Sequence, residues 1–143
     1  MTQFPMKRFV YALLLVLGMC IVAASCEKDD GTASIIGKWG AEKYEYIKDG
    51  KVKSTRSYNY RESDVCFTFT DQKQATVDLY YVGKDGTREC RSTVSTYILM
   101  GNSLMIGQTP YVITKRTSKV LVLGCYEAEE DEEESWYFLR RIE

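Results

Sequence analysis

Histidine does not occur anywhere in the 143 residues. Its absence removes the commonest general base, the commonest metal ligand and every nucleophilic triad that runs through an imidazole. Catalysis would have to rest on Asp, Glu, Lys, Tyr or Cys alone. A large charge of either sign is lacking too. Nineteen Lys and Arg stand against 20 Asp and Glu, a formal net of −1, so nothing in the balance points to nucleic acid. No segment sustains a 3.6-residue apolar repeat between caps, which argues against a helical domain. The chain is also too short for a second core of useful size. What remains is one all-β domain, expected to be non-catalytic and to use neither cofactor nor metal.

Met6-Lys7-Arg8 opens a positively charged segment, and Phe9 to Ala24 is then a 16-residue apolar run. A bilayer span needs about 20 apolar residues at 1.5 Å rise each. A basic start, a short apolar middle and small residues at its end form the pattern of a secretory signal peptide. Both Met1 and Met6 remain open as translation starts. Removing residues 1–25 takes away Lys7 and Arg8, leaving 17 bases against 20 acids, a net of −3.

The stretch Ala23-Ala24-Ser25-Cys26 resembles the lipobox of bacterial lipoproteins, in which cleavage precedes a cysteine that receives the lipid. Ala23 stands where the common pattern has Leu. Cys20 is the rival, but Met19 before it is bulky, and Ile21 to Ala24 would remain as an apolar stub. The resemblance implies a signal peptide over 1–25 and a membrane attachment through lipidated Cys26, carrying palmitate-type chains. Several acyl chains on one residue anchor stably, since each buried CH₂ contributes about 0.8 kcal/mol. The following Lys28, Asp29 and Asp30 resemble the surface-export signal of Bacteroidetes lipoproteins. That implies an outer-membrane protein displayed on the cell surface. A plain polar tether over residues 26–34, holding a domain that faces the periplasm, is the second reading behind surface display.

From Ile35 to Glu143 the chain reads as short strands separated by turn signals. Val65-Cys66-Phe67-Thr68-Phe69-Thr70 places its apolar rings on every second position, and Ala75 to Tyr81 repeats the pattern. Lys48-Asp49-Gly50-Lys51, Gly83-Lys84-Asp85-Gly86 and Gly101-Asn102-Ser103 supply the turns. Strands are expected near 38–47, 52–61, 65–70, 75–82, 87–100, 104–108, 111–116, 119–126 and 135–142. Such short connections force antiparallel neighbours. The expected fold is therefore an up-and-down meander of about eight or nine strands. It closes into a small barrel, because closure removes both free edges. A two-layer β-sandwich is the alternative.

Gly37-Lys38-Trp39 at the start of the first strand resembles the Gly-x-Trp signature of lipocalins. Tyr97 to Ile106 and Trp136 to Arg141 resemble the hairpin and last strand of lipocalin-like domains in Bacteroidetes lipoproteins. The resemblance implies a lipocalin-like barrel over 35–143, and a small apolar or amphipathic ligand as its binding partner. It also implies that Trp39 packs at a barrel end beneath Arg140 or Arg141. Alternation groups Trp136, Phe138 and Arg140 on one side, so Arg140 is the expected partner, in a cation–π contact contributing about 1 kcal/mol. The expected inward positions lining a pocket are Phe67, Phe69, Val77, Leu79, Tyr81 and Ile98.

Other constellations carry less chemistry. Glu127 to Glu134 holds seven acids in eight residues but no glycine of the kind that shapes a calcium loop, and reads as a solvated loop or a contact for a protein partner. Cys66 and Cys90 are placed two ladder steps apart, roughly 9.6 Å, beyond disulfide reach. With Cys125 they form an odd set, and without histidine each reads as a small buried hydrophobe. The pairs Tyr44/Tyr46 and Tyr58/Tyr60 each present both rings on one face, as pocket lining or as core. Two functions stay open: a small-ligand binding module, and an accessory protein whose filled barrel is a rigid plug.

Overall fold

The computed structural model describes residues 33–128 and 132–142. The expected signal peptide, Cys26, Lys28, Asp29 and Asp30 lie outside the described residues. Period-two alternation is realised as nine strands: β1 (Gly37–Lys48), β2 (Lys51–Ser57), β3 (Val65–Phe69), β4 (Gln74–Val82), β5 (Arg88–Met100), β6 (Ser103–Ile106), β7 (Thr109–Arg116), β8 (Val120–Ala128) and β9 (Glu133–Arg141). All neighbours are antiparallel, and β9 returns to pair with β1 from Trp39 opposite Arg141 to Lys48 opposite Glu133. That last pairing closes the sheet. The molecule is the expected up-and-down barrel and not a sandwich.

Eight staves make the barrel, because β2 and β3 share one edge of β1. β2 pairs with Lys43–Lys48 and β3 with Gly37–Gly40. The expected strand over 52–61 stops at Ser57 for a local reason. Asn59 accepts a hydrogen bond from the Arg61 amide (3.2 Å) and opens a 3₁₀ turn over Tyr60–Glu62. The Tyr60 carbonyl then presses onto Gly40, where a Cβ would lie 1.8 Å from its oxygen. Only glycine fits that approach. The Tyr58 amide rejoins β1 by donating to the Glu42 carbonyl at 2.9 Å.

The two barrel ends differ. At one end stand the start of β1, the turn 70–73 and the turns β5–β6 and β7–β8; the other carries the tips β1–β2, β4–β5, β6–β7 and β8–β9. The core lies toward the first end. Trp39, Phe67, Phe69, Leu104, Leu121, Leu123 and Leu139 are all at most 1% exposed. Each such side chain contributes about 1.5–3 kcal/mol on removal from water. Buried polar groups are satisfied: no buried side-chain nitrogen or oxygen among the described residues lacks a partner.

Candidate functional site

Arg141 plugs the first end. Its guanidinium carbon sits 4.2 Å from the Trp39 ring centroid. Its Nε donates to the Ser118 carbonyl (2.6 Å), and its terminal nitrogens donate to those of Ile36 (2.5 Å) and Ser34 (2.6 Å). The Trp39 indole donates to the Ile35 carbonyl at 2.8 Å. Partial burial holds the Arg141 pKa below its ordinary value. The expected partner, Arg140, is elsewhere: it points outward and pairs with Glu42 at 2.9 Å. The reason is register. Trp39 lies directly opposite Arg141, so the inward side of β9 runs Ser135, Tyr137, Leu139 and Arg141. Trp136 and Phe138 lie on the outer wall instead, the indole covering Gly124 and the phenyl ring beneath the Lys43 ammonium at 4.2 Å.

Moving from plug to mouth, the inward positions of β3 and β4 open in steps. Phe69 opposite Ala75 and Phe67 opposite Val77 are both 1% exposed. Val65 is 8% exposed while Leu79 opposite it is 42% exposed, and Tyr81 reaches 45%. Phe67 and Phe69 are therefore core plugs and not pocket walls, with Val77 packed against them. Tyr81 stands on the β4–β5 hairpin beyond the barrel body. Ile98, 60% exposed, faces out: its neighbours Tyr97 (3% exposed) and Leu99 are the inward residues. Of the six expected pocket residues, only Leu79 borders the cavity at the mouth.

That cavity is a cup of about 200 Å³ lined by Tyr44, Arg56, Tyr58, Val65, Leu79 and Tyr137, with Asp64 and Tyr80 at its side. It fills the gap where β2 has left the line of β3. Tyr44 and Tyr137 pack at 5.2 Å between centroids, and Tyr137 meets Phe67 edge-on at 5.4 Å. The Tyr44 hydroxyl shares a 3.1 Å hydrogen bond with Ser135, which orients the ring. Arg56 lies directly across from Tyr44 and brings a cation to the rim. Asp64 is already paired with Arg88 at 3.0 Å. A larger hollow of about 460 Å³ is lined by residues 81–85 and 89 alone, the curl of one exposed hairpin with no second wall.

Tyr44 and Tyr58 had a signal in the sequence, as members of the i,i+2 tyrosine pairs. Tyr137 had none that separated it from Trp136 and Phe138. Outside the barrel, Asp78 accepts from the Ser92 hydroxyl beside Cys90. Cys90 beside it holds the Tyr80 pKa above its ordinary value. Cys66, Cys90 and Cys125 are all free thiols. Among the described residues no group of three or more acidic or thiol side chains could hold a metal. The acids at 133 and 134 belong to β9 and not to a loop: Glu133 pairs with Lys48 at 3.7 Å, and Glu134 accepts from the Trp136 indole at 3.2 Å.

No family model matches the chain, and no curated protein matches it. Among solved structures, lobster apocrustacyanin A1 aligns with 16% identity and a TM-score of 0.43, over 74% of this chain and 59% of its own. The chain thus spans about three fifths of that protein's length. The barrel assignment rests on the β1–β9 closure.

Proposed function

We propose that the protein is a lipid-anchored lipoprotein of the cell envelope, displayed on the outer membrane through Cys26, whose barrel mouth binds a small amphipathic ligand. The observation that carries the binding reading is the cup itself, apolar at its base and cationic at its rim. Its size sets the ligand class. A cavity of roughly 150 Å³ lined by apolar side chains accommodates one benzene, so a space of about 200 Å³ takes one ring or a short alkyl end and not a whole acyl chain. The ring would lie over Tyr44 and Tyr137, where offset or edge-on contact contributes about 0.5–1.5 kcal/mol beyond area. An anionic or polar head would meet Arg56. The reading is one of binding and not of catalysis.

The test is native mass spectrometry of the full chain released from membranes in mild detergent. A copurifying small molecule, lost in Leu79→Trp, supports the binding module. An unloaded chain that also takes up no aromatic carboxylates in titration overturns it, in favour of the filled-barrel accessory protein. The anchor is tested separately. Cys26→Ala is expected to leave the membrane fraction, and retention there would overturn lipidation.

A further inference from the structure

The outer wall beside the plugged end carries an apolar surface that the barrel itself does not use. Met100, Ser103 and Val112 form one cross-strand row on β5, β6 and β7, and Ile98, Met105 and Pro110 form the next. Met100 is 73% exposed and Ile98 60%. The same end is basic. Lys38, Lys73, Lys115 and Lys119 stand there with the three arginines 116, 140 and 141. Among the described residues the acids near them are Asp71, Glu62 on the turn against Gly40, and Glu42, the last already bonded to Arg140. The chain also arrives here. The Ala33 carbonyl accepts from Arg116 Nε at 2.5 Å, and another nitrogen of that guanidinium reaches the Gly101 carbonyl at 3.5 Å, in the turn next to Met100.

Cys26 lies seven residues before Ala33, so a fully extended connection measures at most roughly 25 Å. We propose that the plugged end and the Met100 and Ile98 rows rest on the headgroups of an anionic bilayer, with the cup turned away from it. This inference rests on lipidation of Cys26. The short tether confines the basic end close to the membrane, and electrostatic attraction acts only within a Debye length of about 8–10 Å. The exposed methionine and isoleucine then lose water contact at the interface. An opposite orientation would set Glu132, Glu133 and Glu134, at the start of β9, against like charge.

The full-length chain, isolated with its lipid and reconstituted into phosphatidylglycerol–phosphatidylethanolamine vesicles, tests the orientation. In a Cys90→Ser background, a polarity-sensitive dye is attached at Met100→Cys, or at Val82→Cys on the mouth hairpin (72% exposed) as the control. Spin-labelled lipid should quench position 100 at least threefold more than position 82. Lys38→Glu with Lys115→Glu should remove the difference. Equal weak quenching at both sites, with the chain still partitioning through Cys26, overturns the docking and leaves the anchor standing. Equal quenching of position 100 in purely zwitterionic vesicles overturns the anionic requirement. A chain that does not partition at all overturns both readings. Shielding of position 100 that grows with protein concentration in detergent assigns the face to a second copy of the chain.

Discussion

At the scale of single residues, two adjacent arginines show how much one register step decides. Arg141 bonds three carbonyls and an indole face, whereas Arg140 holds one half-exposed carboxylate. Charged hydrogen bonds contribute about 1.5–3 kcal/mol each when isolated, but three on one guanidinium do not add. Arg141→Ala is expected to cost about 2–3 kcal/mol, and Arg140→Ala at most about 1 kcal/mol. Urea unfolding of both variants checks this, and equal losses would place the stabilisation elsewhere. Titration gives a second prediction. Burial pushes the Cys66 thiol above its ordinary 9.0, and burial together with Asp71 pushes Tyr97 above 10.0. Both groups release protons more readily unfolded than folded. Their stabilisation is complete below pH 9 and is lost as pH rises through the folded values. Thermal melts should therefore fall above about pH 9. Cys66→Ala with Tyr97→Phe should flatten that fall, and an unchanged slope would assign it to other groups.

At the scale of elements, the strand positions were legible because period-two alternation and the Gly- and Asn-bearing turns act locally. β1, β3, β4 and β5 begin and end within a residue of expectation. The inward parity of β5 and β9 was not legible. In both, bulky apolar residues occupy both faces, since this barrel packs some of them on its outer wall. Bulges at Glu42 in β1 and beyond Tyr126 in β8 shift the parity within those two strands, and a bulge depends on the partner strand and not on the strand's own composition. The break between β2 and β3 is the element that makes the cup. Gly40→Ala would force the Tyr60 carbonyl off β1. The expected loss is about 1–3 kcal/mol, with faster amide exchange at Tyr58, whose bond to Glu42 flanks the break. Exchange rates unchanged at Tyr58 would mean that the turn can shift away cheaply.

At the scale of the whole molecule, the gradient of burial along the inward row sets what the barrel can do. An eight-strand barrel has an interior just wide enough for side chains or one small ligand. Here the side chains take the plugged half and leave the mouth. Leu79→Trp should weaken binding of a one-ring anionic probe at least about tenfold, equivalent to 1.4 kcal/mol, while Tm moves little because the site is half exposed. Val94→Trp on the outer wall serves as the control, and equal weakening by both variants would locate the probe outside the cup.

The sequence alone determined the class of fold and the count of staves to within one, because alternation and turn chemistry are local and repeat along the chain. It also supplied the expectation of a lipidated Cys26, which concerns residues outside the described barrel. Only the tertiary structure decided which arginine covers Trp39, which tyrosines meet at the mouth, and that Phe67 and Phe69 fill the core. Those outcomes depend on register between strands far apart in sequence: Trp39 faces Arg141 at a separation of 102 positions, and no local pattern records that distance.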